Sequence, residues 1–285
     1  MNKPILINKL DNQKQESITF IPKTSFQCLM VGSIGASKTT TLINLLKNPL
    51  ALAGRFNKII IVSPTAKLDD KWKILYNHKI IVPNKELIKK LIKEQTKQKK
   101  QHPLNSVSLG HLPNDTVLNN EIISIDLTEP RALNDSDFID EVDLSFLQSL
   151  LNSQAKIIKK FGKKYVDKIL IVCDDCVSDR RTFRNPEVIK ACLTSRHHEI
   201  STIYVSQAYH LVDKNIRLNC GFKIIYNIPN EIELKLIYTE NTCDRNYQEF
   251  LIKFHEIVSK PYAFAVINYY NPPNYRLSNC FLEFM

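Results

Sequence analysis

The sequence predicts an α/β chain with a mostly parallel central sheet and helices on both of its faces. Three observations predict it. Short apolar runs recur along the chain; most are followed by segments of helical periodicity; and the runs are continuous, as in strands buried on both faces. Hydrophobic residues make up 44% of the 285. That is enough for a large core and excludes general disorder. At this length one large α/β domain with an insertion is expected.

Residues 26–31, FQCLMV, form the first apolar run and stop at Gly32. From Lys38 the pattern turns helical, with Leu42, Leu45 and Leu46 on one face and Pro49 as the stop. Lys58–Val62 reads as the second strand and Ile80–Val82 as a short third. Residues 85–101, KELIKKLIKEQTKQKKQ, have helical spacing through Leu87, Ile88, Leu91 and Ile92 and form a basic amphipathic helix. Charge then reverses: between Asp115 and Asp143 there are nine carboxylates and one base, Arg131. Helical periodicity returns over 144–160. The charge-segregated stretch 84–160 is expected to be a variable insertion within a domain spanning 22–285, after an N-terminal extension of 1–21. Further strands are expected at Lys168–Cys173, Ile200–Ser206, Phe222–Tyr226 and Tyr262–Asn268. Helices are expected after Pro186 and over 230–238 and 244–258.

Several classes are excluded. The first fifteen residues, MNKPILINKLDNQKQ, have neither the apolar core nor the cleavage site of a secretory signal. No apolar run approaches the ~20 residues that span a bilayer. The seven cysteines are odd in number and scattered, which suits free thiols in a reducing compartment. Cys173-Asp-Asp-Cys176 lacks the second Cys/His pair of a zinc set, so it reads as a pair of strand-end thiols. A net charge of +10 suits an anionic partner such as nucleic acid.

Glycine is scarce. There are 6, against roughly 20 at the average usage of about 7%. Two of them, Gly32 and Gly35, stand in Gly32-Ser33-Ile34-Gly35-Ala36-Ser37-Lys38-Thr39-Thr40. This matches the phosphate-loop pattern G-x-x-x-x-G-K-[ST] at Gly32, Lys38 and Thr39, with Ser37 in place of the second glycine. The residue types follow from the chemistry. Backbone N–H groups and a helix N-terminus cradle phosphate, Lys38 reaches the β- and γ-phosphates, and Thr39 ligates Mg²⁺. The strand before and the helix after the motif are the context it requires, and ATP with Mg²⁺ is the expected ligand.

Such a loop needs an acidic pair at the end of a neighbouring strand. Ile169–Cys173 followed by Asp174-Asp175 has that form, with Asp174 on the Mg²⁺ side and Asp175 as general base or water-orienting group. Gln207 ends the next strand, where an amide beside the γ-phosphate acts as a sensor. Arg196 and Arg217 are the two candidates to meet charge developing on the γ-phosphate, and the choice between them stays open. His197 and His198 lack metal-type spacing and read as structural or solvent-facing.

Taken together, GSIGASKT, KILIVCDD, SRHHEISTIYVSQ and NIRLNCGFKIIYN resemble the genome-packaging ATPases of large double-stranded DNA viruses, virophages and Polinton-like elements, in the FtsK–HerA division of P-loop ATPases. The resemblance covers roughly residues 22–270 and is weakest over 84–160. It implies a three-layer, RecA-like P-loop NTPase fold with an additional strand. It also implies a homo-oligomeric ring that pumps duplex DNA of any sequence into a capsid, with a capsid or portal protein as partner and no membrane. The setting it implies is the assembly site in the host cytoplasm, or the virion. Position by position it makes Lys38 and Thr39 the nucleotide and Mg²⁺ residues, Asp174 and Asp175 the acidic pair, and Gln207 the sensor. The lysine-rich helix from Lys85 is a candidate contact for DNA or capsid. Two rival readings share the motifs: a plasmid- or transposon-encoded translocase or helicase, and a nucleotide-binding interaction protein without turnover.

Overall fold

A computed structural model describes residues 21–101 and 129–284, apart from 24, 68, 177–182, 242–245, 273–274 and 281–282. The described residues form a nine-stranded sheet. Its strands are β1 (Gln27–Val31), β2 (Lys58–Val62), β3 (Phe138–Ile139), β4 (Ile169–Asp174), β5 (Ile200–Ser206), β6 (Phe222–Tyr226), β7 (Phe264–Asn268), β8 (Leu277–Asn279) and β9 (Glu283–Phe284). The spatial order is β3-β2-β4-β5-β1-β6-β7-β8-β9. From β3 through β6 all pairings are parallel; β7, β8 and β9 continue antiparallel.

The helices are α1 (Lys38–Lys47), α2 (Asp70–Lys73), α3 (Lys85–Gln101), α4 (Leu144–Phe161), α5 (Pro186–Thr194), α6 (Lys214–Asn219), α7 (Glu231–Asn241) and α8 (Tyr247–Ile257). Because strand side chains alternate, the sheet feeds two cores. On one face Met30, Ile61, Val172, Val205 and Ile224 pack with Leu42 and Leu46 of α1 and Trp72 of α2. On the other Val31, Ile171, Tyr204 and Ile225 pack with Leu147 of α4, Cys192 of α5, Ile216 of α6, Ile237 of α7 and Phe254 of α8. The result is the expected three-layer α/β architecture. β5 lies between β1 and β4, which is the additional strand of the expected fold.

Local rules set the helix ends. Asp143 caps α4 by accepting the Phe146 N–H at 2.6 Å, and Gly162, at φ 91°, ends it. Pro186 opens α5 behind the Asn185 cap. The stretch read as an insertion supplies edge strand β3, helix α3 and the core helix α4. Within it Gln154 donates to the carbonyls of Asp167 (2.7 Å) and His198 (2.9 Å), which ties α4 to the starts of β4 and β5. Ile80–Val82 is not a strand. Ile81 makes isolated bridges to Phe56 and Arg131 and is buried there, so its apolar character reflects burial without a ladder. Among the described residues no helix is long and apolar enough to cross a membrane.

Candidate active site

Parallel strands place their C-terminal ends on one edge, the usual place for ligands in open α/β sheets. The register here is informative. Val31 faces Ser206, and Val205 faces Asp174. Gly32, Gln207 and Asp175 therefore emerge side by side from β1, β5 and β4, at strand spacings of about 4.8 Å. Three motifs that are far apart in sequence meet on one edge.

The loop between β1 and α1 is held to β5 by the Gly32 N–H, which donates to the Ser206 carbonyl at 3.3 Å, and closes on itself through Ala36 N–H to Ser33 O at 3.2 Å. A Cβ on Gly32 would lie 2.7 Å from Cβ of Tyr226 on β6. Gly32 is thus required by packing against Tyr226, beyond any approach of backbone to phosphate. Gly35 has φ +82° and faces open space, so its requirement is conformational. Ser37 has φ +68°, the left-handed conformation that the motif's glycine would adopt. The loop keeps its shape, and the serine bears a strain of about 1 kcal/mol. Ser37→Gly is therefore expected to raise stability by up to about 1 kcal/mol in chemical denaturation and to leave nucleotide affinity undiminished. A loss of affinity would show that the Ser37 side chain contributes to binding.

Ser37 makes no side-chain cap bond at the start of α1. The first N–H groups of that helix, including those of Thr39 and Thr40, have no partner within the helix and face the loop's bowl. Lys38 is only 8% exposed. Its ammonium donates to the carbonyls of Gly32 (2.6 Å) and Ser33 (3.0 Å). Burial lowers its pKa, while Asp175 and Asp174 pull it back up. Ile34 projects from the tip of the loop at 83% exposure.

Asp174 is buried at the end of β4. One carboxylate oxygen, Oδ2, accepts the Thr39 hydroxyl at 3.5 Å, while Oδ1 is buried without a hydrogen-bond partner. Burial first, and then the charge of Asp175, push its pKa up to about 6, against the opposing pull of Lys38 and the Thr39 hydroxyl. An orphaned carboxylate oxygen next to a threonine hydroxyl is a hard-oxygen donor set. It fits Mg²⁺ held by one or two protein groups together with phosphates and water. No cluster of three His, Cys, Asp or Glu side chains that could hold a metal ion occurs among the described residues. Cys173 and Cys176 are free thiols, the first buried and the second partly buried. Asp175 is exposed just past the strand at φ +55°. Gln207 is exposed past the end of β5.

Neither arginine makes a contact with the Gly32–Thr40 loop among the described residues. Arg196 lies in the Ser195–His198 turn that feeds the start of β5 and hydrogen-bonds Tyr270. It is separated from the loop by the length of β5, roughly 20 Å. Arg217, on α6 across the sheet from α1, is committed to a buried pair: Nε and Nη2 donate to the Glu240 carboxylate at 3.0 and 2.6 Å, and Nη1 to the Val212 carbonyl at 2.7 Å. The guanidinium also covers the Tyr209 ring, 5.0 Å from its centroid. Burial opposes both charges, yet the pairing prevails; Arg217 is held above its ordinary pKa and Glu240 below its own. The expectation that Arg217 faces the γ-phosphate thus meets a fold in which its donors are engaged elsewhere.

Two contributors are not apparent from the motifs. Tyr226 braces Gly32 from the neighbouring strand, and only the β1–β6 register reveals it. Asp69, the cap of α2, adds to the rise in the Asp174 pKa. Its Asp-Asp doublet is a sequence signal, but no strand precedes it.

No family model matches the chain, and no curated protein matches it. Solved structures do. The DNA-packaging ATPase B204 of Sulfolobus turreted icosahedral virus is 14% identical, with TM-score 0.49 over 87% of this chain and 95% of that one. The likeness is one of fold. B204 of Sulfolobus turreted icosahedral virus 2, in complex with AMP, is 13% identical, with TM-score 0.47 over 86% of this chain and 93% of that one. EssC (ATPases 2 and 3) of Geobacillus thermodenitrificans is 12% identical, with TM-score 0.38 over 76% of this chain and 34% of that one.

Proposed function

We propose that the chain is an ATP-driven double-stranded DNA translocase that packages a viral genome into a capsid. The observation that carries the nucleotide site is the convergence of the Gly32–Thr40 loop, Asp174-Asp175 and Gln207 on three adjacent strand ends in the order β1-β5-β4. The step to packaging rests on the resemblance of the four sequence motifs.

In this reading the α1 N-terminus and the loop amides hold the phosphates. Lys38 exchanges its two carbonyl partners for β- and γ-phosphate oxygens. Thr39 and Asp174 would hold Mg²⁺, which would neutralise phosphate charge when bound. The exposed Asp175 carboxylate orients the attacking water and accepts its proton. Gln207, on the strand between loop and acid pair, contacts the γ-phosphate position and transmits its loss through β5. Since Arg196 lies at the start of β5 and Arg217 is engaged with Glu240, transition-state charge is met across a subunit boundary, in a ring of copies. Arg196 is the better placed of the two, because Arg217 is buried. A translocase of this type acts on duplex DNA of any sequence and docks on a capsid or portal protein, at the assembly site or in the virion.

The test is phosphate release by the full chain with ATP, Mg²⁺ and mixed-sequence duplex DNA. DNA should stimulate turnover, and Lys38→Ala should lower it by about 100-fold or more. Unchanged turnover in Lys38→Ala would refute the site. Nucleotide binding with no phosphate release under any of these conditions would favour an interaction protein.

A further inference from the structure

The opposite edge of the sheet carries a charge pattern that the nucleotide site does not use. α4 ends there with Lys156 and Lys159 exposed, and the turn that follows leads through Lys168 into β4. α3 begins on the same ground. The Asn84 amide donates to the Tyr165 carbonyl at 3.0 Å and to the Asp167 carboxylate at 2.8 Å. Lys90 lies 5.8 Å from the Tyr165 ring centroid. The first turns of α3 and the last turns of α4 are therefore one surface.

On α3, Lys85, Lys89 and Lys93 are exposed at four-residue intervals. They form one stripe with a repeat of about 6 Å along the axis. α4 itself contains no acidic residue. Three of the carboxylates nearby are ion-paired within the protein, Glu94 with Lys160 at 3.0 Å, Glu86 with Lys164 at 3.8 Å and Glu199 with Lys163 at 2.8 Å; a fourth, Asp167, is partly buried and accepts the Asn84 amide. Lys85, Lys89, Lys93, Lys156, Lys159 and Lys168 make no ion pair among the described residues. Asp135, Asp137 and Asp140, by contrast, flank β3, which pairs with the C-terminal end of β2. The charge reversal along the sequence thus becomes a separation in space, with acids toward the nucleotide edge and lysines at the far edge.

We propose that this far edge is the duplex-DNA surface of the protein, with the α3 stripe and the end of α4 gripping the phosphate backbone. The inference rests on the translocase reading and gives its substrate a place. Charge complementarity selects the occupant. Unpaired ammonium groups on flexible stems are point charges suited to uniform phosphates, and they read no base, as packaging requires. An acidic protein partner would need a cluster of apolar or arginine anchors in the patch; the described part of α3 has no arginine, and Ile92 is its single exposed large apolar side chain.

The experiment compares wild-type full chain with Lys89→Gln/Lys93→Gln/Lys156→Gln/Lys159→Gln. It measures anisotropy of a fluorescent mixed-sequence duplex across a salt series. A control variant carries the same four-charge loss at the exposed sites Lys71, Lys190, Lys235 and Lys260. The edge variant should lose at least about ten-fold in affinity, and its log–log salt slope should become shallower by about 3–4, the loss of four phosphate contacts. Its ATPγS affinity should equal that of wild type, the four Lys→Arg replacements should restore DNA binding, and the control should bind like wild type. Equal losses in edge and control variants would overturn the proposal in favour of diffuse charge. An edge variant that still binds DNA but has lost poly-glutamate binding would overturn it in favour of an acidic protein. Full DNA binding by the edge variant would overturn the surface and leave the translocase reading standing; a wild type that binds no duplex would sink both.

Discussion

Asp174→Asn is expected to make the nucleotide-free, magnesium-free protein more stable at pH 8 while reducing its ATPase activity by about 100-fold or more. The two effects have one cause. Asp174 is buried at the strand end with Oδ1 unpartnered, and its pKa is pushed up to about 6 by burial and by Asp175. The unfolded value is about 3.9. The folded protein therefore binds more protons than the unfolded chain between about pH 4 and pH 6. This group's penalty is absent below pH 4, grows as pH rises through about 6, and is complete above that. A shift of about two units corresponds to about 3 kcal/mol. Lys38 would lose one counter-charge on substitution, so a net gain of about 2 kcal/mol is expected at pH 8, with none at pH 4. Urea midpoints at the two pH values check it. A destabilised Asn variant at pH 8 would show that Asp174 is well solvated or paired in the free protein. Functional sites often carry such local costs.

Arg217→Ala is expected to destabilise the fold by about 3–5 kcal/mol, because it leaves the Glu240 carboxylate buried without its guanidinium partner. Both side chains are 8% exposed. The Val212 carbonyl would lose its donor and the Tyr209 ring its cation as well. Arg217→Met/Glu240→Leu, which removes both charges at similar volume, should recover most of the loss. Thermal and urea unfolding of the three proteins measure this directly. An Arg217→Ala protein with wild-type stability but no ATP turnover would contradict the structural role and return this arginine to the interface.

These two residues mark how far the sequence could be read. The place of Asp174 at the end of β4 was legible because a continuous apolar run ending in two acids reads as a strand end. The same logic located the Gly32–Thr40 loop and Gln207. β1, β2 and β4 through β7 were legible for the same reason: strands buried on both faces have no polar alternation to hide them. β3, β8 and β9 were not. They lie at or next to the sheet's edges and have two or three residues each, too short for any periodicity. Ile80–Val82 misled because burial, not pairing, makes it apolar. Arg217 could not be resolved, since its partner Glu240 lies 23 residues away and the pairing exists only once α6 and α7 pack together. The left-handed backbone at Ser37 is signalled by the motif's glycine position, whereas the bracing of Gly32 by Tyr226 is a tertiary fact that no local residue pattern announces.

The most direct measurement of the central claim is ATP-dependent displacement of a third strand from triplex DNA by the full chain, which reports movement along a duplex without strand separation. The reading predicts displacement with ATP and Mg²⁺, independent of the duplex sequence. It predicts none with ATPγS and none for Lys38→Ala. Hydrolysis that proceeds at the same rate with and without duplex DNA, with the third strand left in place, would contradict it.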